Sequence, residues 1–132
     1  MRVLLTGATG NVGSRLLPSL VAHNHEVILY LRSPSKLSAE AKSCAKAIIT
    51  GSGTDSDSIK AALLSHNCDA MVNAAGLAPM FGTKGELPAI FAAAMKAAID
   101  AGKERGGKPI RMWFMAGQGI MESPQKPHLM AD

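Results

Sequence analysis

The amino-acid sequence predicts an α/β fold: a doubly wound parallel sheet of about five strands in a single domain, residues 1–132. Three observations carry this expectation. Short apolar runs alternate with segments of helical period along the chain. The first apolar run opens directly into a glycine-spaced turn, Gly7-Ala8-Thr9-Gly10-Asn11-Val12-Gly13. The second run, Glu26–Leu31, is apolar at nearly every position, as a strand covered on both faces must be. Right-handed crossovers between parallel strands give the expected strand order 3-2-1-4-5.

Taken in order, Arg2–Thr6 reads as strand one, ended by Gly7. Asn11–Ala22 places Val12, Leu16, Leu17, Leu20 and Val21 at helical spacing, with Pro18 as an expected kink. Glu26–Leu31 is strand two, and Pro34–Lys42 reads as a short helix. Ala45–Thr50 is strand three, broken by Gly51-Ser52-Gly53. Asp55–Ser65 is a helix with Ile59, Leu63 and Leu64 on one face. Asp69–Ala75 is strand four, ended by Gly76. Thr83-x-x-Glu86 has the form of a capping box, and the alanine-rich helix after it runs to about Arg105, where Gly106-Gly107 stop it. Its small residues permit close approach, inside the fold or across a subunit boundary. Ile110–Met115 is strand five, with Trp113 and Phe114 expected in the core. From Gln118 onward, Pro124 and Pro127 predict an irregular tail.

Bulk properties exclude several functions. Hydrophobic residues at 47% and charged residues at 18% suit a globular domain, and no apolar run reaches the roughly 18 residues of a membrane span. Met1-Arg2 leads straight into Val3-Leu4-Leu5, too short for a secretory core segment, so a cytoplasmic location is expected. Net charge is +4, but the basic residues are scattered, which argues against nucleic acid as a partner. Cys44 and Cys68 lack metal-ligand spacing, so no metal is expected and both read as reduced, partly buried thiols.

The glycine turn carries the chemistry. Gly7 allows the sharp exit from the strand. Gly10 lets backbone N–H groups approach a pyrophosphate, and Gly13 lets the following helix pack close to the strand. The helix N-terminus then offers N–H donors and a positive dipole end to the anion. With a strand before it and a helix after it, the pattern predicts a Rossmann-type unit that binds a dinucleotide, with Gly7, Thr9, Gly10, Asn11, Val12 and Gly13 as candidate contacts. An acid at the end of strand two would bind the ribose 2′-OH of NAD, whereas Arg accommodates the 2′-phosphate of NADP. The chain has Leu31-Arg32-Ser33-Pro34-Ser35-Lys36 there, so Arg32, Ser33 and Lys36 point to NADP, with NAD as the second choice.

Thr6-Gly7-Ala8-Thr9-Gly10-Asn11-Val12-Gly13 resembles the signature of extended and atypical short-chain dehydrogenase/reductases, with the isoflavone-reductase-like and nitrogen-metabolite-repressor-like branches nearest. Asn73-Ala74-Ala75-Gly76 resembles that superfamily's second motif, which implies that Ala74, Ala75 and Gly76 line an adenine pocket. The likeness runs from Met1 to about Gly119. The superfamily's redox apparatus, Tyr-x-x-x-Lys with a Ser after strand five, has no counterpart. Tyr30 is the one tyrosine and lies inside strand two, and Ala116-Gly117 stand at the expected Ser position. Gly51-Ser52 replace a common Gly-Asp. By that resemblance the chain stops at Asp132, before the usual C-terminal substrate region.

Three functions compete. The first is an NAD(P)-binding, dehydrogenase-like protein without the Tyr-Lys pair. The second is a non-redox hydrolase, cyclase or isomerase on the same fold, acting on a small molecule such as a polyketide-like ester or thioester. The third is a non-catalytic dinucleotide sensor. For the second, His128 is the candidate general base or acid, oriented by Asp132. A small-molecule or dinucleotide ligand and a homodimer through the alanine-rich helix are the expected partners.

Overall fold

The computed structural model describes residues 1–10, 12–74, 86–114, 122–123 and 126–129. Five strands form its sheet: β1 (Arg2–Thr6), β2 (Glu26–Leu31), β3 (Ala47–Thr50), β4 (Ala70–Asn73) and β5 (Arg111–Phe114). They lie in the order β3-β2-β1-β4-β5, and every neighbouring pair is parallel. The crossovers carry α1 (Gly13–Ala22), α2 (Ala39–Cys44), α3 (Ser56–Ser65) and α4 (Glu86–Glu104). The registers Thr6–Tyr30, Thr6–Asn73 and Leu31–Thr50 bring the carboxyl ends of β1 to β4 to one rim.

Strand alternation divides the core into two layers. Leu4, Ile28, Tyr30 and Met71 pack with Ile59 and Leu63 of α3 and the alanines of α4. Leu5, Val27, Leu29 and Leu31 pack with Leu17 of α1 and with Leu37. A sheet covered on both faces needs apolar side chains at successive positions, which is why β2 reads as a continuous apolar run. Ala93, Ala94, Ala97, Ala98 and Ala101 are all buried in the first layer, so these five alanines of α4 serve close packing inside the fold, while Ala89 and Ala92 are exposed. Asp55 caps α3 by accepting the Ser58 N–H. Asn24 and Asn67, at φ of 66° and 50°, close α1 and α3 with matching N–H donations to Val21 and Leu64.

Several local expectations are corrected. The predicted helix over Pro34–Lys42 is two pieces: a 3-10 turn at Pro34–Lys36, then α2 after the Ser38 cap. Leu37 between them is extended and buried, and that burial splits the helix. As expected, Pro18 lies inside α1, and Leu17 and its neighbours anchor the helix to the sheet. Trp113 is 48% exposed rather than core. Met112 and Phe114 turn toward α4, and Phe114 meets Phe91 edge-on at 5.5 Å, so Trp113 faces the opposite side of an end strand. The tail is not wholly irregular: β6 (Glu122–Ser123) pairs antiparallel with β7 (Lys126–Leu129), a two-stranded ribbon that tolerates Pro127. The Thr83 end of the proposed capping box lies outside the described residues. Among the described residues, no helix is long and apolar enough to cross a membrane.

The two thiols also differ from expectation, since Cys44 is exposed and Cys68 is fully buried. Burial, with the charge of Asp69 adding to it, pushes the Cys68 thiol up to about 11. A thiol reagent at neutral pH should therefore label one cysteine per chain in the folded protein, and both after denaturation. Rapid labelling of both in the folded state would contradict this packing.

Candidate functional site

The rim formed by the strand ends opens into a cleft of about 300 Å³. It sits where the strand order reverses, with β2 on one side of β1 and β4 on the other, the usual ligand position in open α/β sheets. β1 contributes Thr6, and the turn after it contributes Gly7, Thr9 and Gly10. Gly7 takes φ of 76°, and its carbonyl accepts the Gly10 N–H at 3.1 Å. Gly13 lies behind the turn, pressed on Gly7: a Cβ there would overlap the Gly7 carbonyl and stand 2.6 Å from its carbon. The Thr6 hydroxyl donates to Asn73 Oδ1 at 2.6 Å in a buried contact that ties the ends of β1 and β4 together.

The first turn of α1 carries no acidic residue, and Val12 provides no side-chain cap. By contrast, α2 and α3 are capped by Ser38 and Asp55 and carry Glu40 and Asp57 in their first turns. Among the described residues, the first turn of α1 thus sets no acidic side chain against its dipole end, which follows the cleft-lining turn.

β2 contributes Tyr30 and Leu31, the position after it contributes Arg32, and the turn after β3 contributes Gly51 to Thr54. Tyr30 is buried as expected, yet its hydroxyl reaches the cleft and donates to the Ser52 carbonyl at 2.7 Å. The phenol occupies the space beside Gly51, where a Cβ would stand 2.6 Å from Cζ. Burial raises the Tyr30 pKa, and the charge of Asp55 raises it further. That is opposite to the lowered pKa an acid–base tyrosine needs. Asp55 itself is held below the ordinary carboxylate range by its hydrogen bonds from Ser58. Sequence reasoning placed Tyr30 only in the core, and read Gly51-Ser52-Gly53 as a strand breaker with Gly51-Ser52 in place of a common Gly-Asp. The signal was a glycine immediately after a strand, which marks a close approach by another group.

The cleft therefore gathers Gly7, Thr9, Gly10, Arg32 and Ala74 from among the predicted residues. Gly13 supports it from behind, and Val12 is partly exposed at the start of α1. Arg32 is exposed at the rim and Ser33 half-buried beside it. Lys36 is separated from them: it lines a neighbouring cleft of about 250 Å³ between α1 and α2, which shares Thr9 with the first. His128 falls in β7, and only the backbone is described there. Asn11, Ala75, Gly76 and Asp132 lie outside the described residues.

The arrangement matches known structures. A Bacillus halodurans protein described as an NAD-dependent epimerase/dehydratase is 27% identical over 96% of this chain, with a TM-score of 0.68 and 56% of its own length covered. A Burkholderia pseudomallei protein described as exported is 28% identical over the whole chain, with a TM-score of 0.65 and 55% of its length covered. A short-chain dehydrogenase/reductase from Veillonella parvula, in complex with NADP, shares the fold at 17% identity over 90% of the chain, with a TM-score of 0.67 and 48% of its length covered. The chain thus spans about half the length of these proteins. No curated protein matches the sequence. The model of the NAD(P)H-binding family matches residues 7–130, and the chain belongs to that family.

Proposed function

We propose that this chain binds NADP(H) in preference to NAD(H). The pyrophosphate lies over the turn from Gly7 to Gly13, where Gly10 permits its close approach and main-chain N–H groups around Thr9, Asn11 and Val12 hold it. Arg32 meets the ribose 2′-phosphate, with Ser33 beside it and Lys36 adding positive potential from the adjoining cleft. The segment Ala74 to Gly76 borders the ligand on the β4 side. One observation carries the reading: Arg32 lines the same cleft as Gly7 and Gly10, and no carboxylate is among the described residues lining it. An acid in that position would favour a free 2′-hydroxyl and repel a phosphate.

When bound, the nicotinamide supplies hydride chemistry. The residues of this chain bind and orient it. Tyr30 uses its phenol to hold the turn after β3, and its raised pKa does not suit it to proton transfer. The reading is therefore a dinucleotide-binding unit in which Tyr30 has a structural role.

Calorimetric titration at low ionic strength tests it. NADPH should bind about tenfold tighter than NADH, which corresponds to roughly 1.4 kcal/mol from one charge-assisted contact. Equal affinities, or tighter NADH, would contradict the role of Arg32.

A further inference from the structure

The 2′-phosphate and the base occupy adjacent carbons of one ribose. If Arg32 holds that phosphate, as proposed above, the base must lie within one sugar of it, over the ends of β2 and β3. The cleft wall there consists of Tyr30, Ser52, Gly53 and Thr54, with the apolar side chain of Ile90 opposite.

Several polar groups of this wall are already engaged. The Ser52 carbonyl accepts from both the Tyr30 phenol and the Asp55 N–H. The Thr54 N–H donates to Ser52 Oγ at 3.2 Å. The two carboxylate oxygens of Asp55 accept from the Ser58 N–H and hydroxyl. Among its side chains, the wall offers a ligand the pair of hydroxyls on Ser52 and Thr54, 2.9 Å apart, in which either oxygen can be the donor. Reversing that one hydrogen bond changes which hydroxyl points its proton outward. The pair can thus accept a proton from a ligand amine or donate one to a ligand carbonyl. A carboxylate in this position could only accept.

We infer that Ser52 and Thr54 make the base end of the cleft indifferent to the group at purine C6, so that a 6-oxo purine dinucleotide binds as well as the adenine form. Adenine presents an amine there and hypoxanthine a carbonyl. A fixed acceptor separates the two, whereas a reversible hydroxyl pair satisfies both.

The test compares NADPH with reduced nicotinamide hypoxanthine dinucleotide phosphate by calorimetry, on the wild-type chain and on Ser52→Asp. The aspartate keeps an acceptor for the Thr54 N–H, so the turn is retained. Wild type should bind the two ligands within about threefold of each other, because neutral, solvent-accessible hydrogen bonds discriminate weakly. Ser52→Asp should prefer adenine by about tenfold, since a charged acceptor faces the hypoxanthine carbonyl. Binding of NADPH with rejection of the hypoxanthine form by tenfold or more in wild type, or an unchanged ratio in Ser52→Asp, would overturn the inference alone. Binding of neither ligand by wild type would overturn it together with the dinucleotide reading on which it rests.

Discussion

Gly13→Ala should destabilise the protein by about 3 kcal/mol and abolish dinucleotide binding at moderate ligand concentrations. The methyl group would overlap the Gly7 carbonyl, which is backbone and is fixed by the Gly10 N–H. The first turn of α1 must then lift from β1, and the N–H groups aimed at the cleft move with it. Gly10→Ala separates the two effects. A Cβ at Gly10 comes only to 3.4 Å from the Gly7 carbonyl, so stability should stay within about 1 kcal/mol of wild type. Gly10 lines the cleft, however, and its methyl would stand where a pyrophosphate must approach. NADPH affinity should fall at least about tenfold, or roughly 1.4 kcal/mol. Urea unfolding read beside calorimetry distinguishes the variants. A Gly13→Ala protein as stable as wild type would refute the seating of α1 on Gly7. Unchanged NADPH binding in Gly10→Ala would remove the pyrophosphate from this turn.

These glycines were legible in the sequence because their roles are set by local spacing. A strand, a turn and a helix start within a few residues leave little freedom in where Gly7, Gly10 and Gly13 can lie. The strand order was legible for a similar reason, since short parallel strands separated by helices admit few unknotted topologies. The helix ends at Asn24 and Asn67, by contrast, depend on a left-handed residue that many sequences place in loops.

What sequence could not give depends on neighbours distant along the chain. Trp113 reads as core because strand five is apolar, but only one face of β5 meets a helix among the described residues. Tyr30 reads as core and is buried, but the end of its long side chain emerges beside Ser52 because β2 and β3 are in register at Tyr30 and Ile49. Arg32 and Lys36 read as one basic cluster. The extended, buried Leu37 turns the chain into α2, and the two cations end in adjoining clefts. On the reading proposed above, that separation leaves Arg32 as the residue on which cofactor choice depends.

The most direct measurement crosses the protein with the ligand: NADPH and NADH titrated into wild type and Arg32→Ala under one low-salt buffer. Arg32 is exposed, so its replacement should leave the fold intact. NADPH affinity should fall by about tenfold, the lower range for a charge-assisted contact that solvent partly screens. NADH affinity should stay within about twofold, since the ligand lacks the phosphate that the guanidinium meets. The coupling between side chain and phosphate is then close to the whole effect of the substitution, and it should shrink as salt is added. Equal losses for both ligands, or no loss for either, would contradict the assignment of Arg32 to the 2′-phosphate.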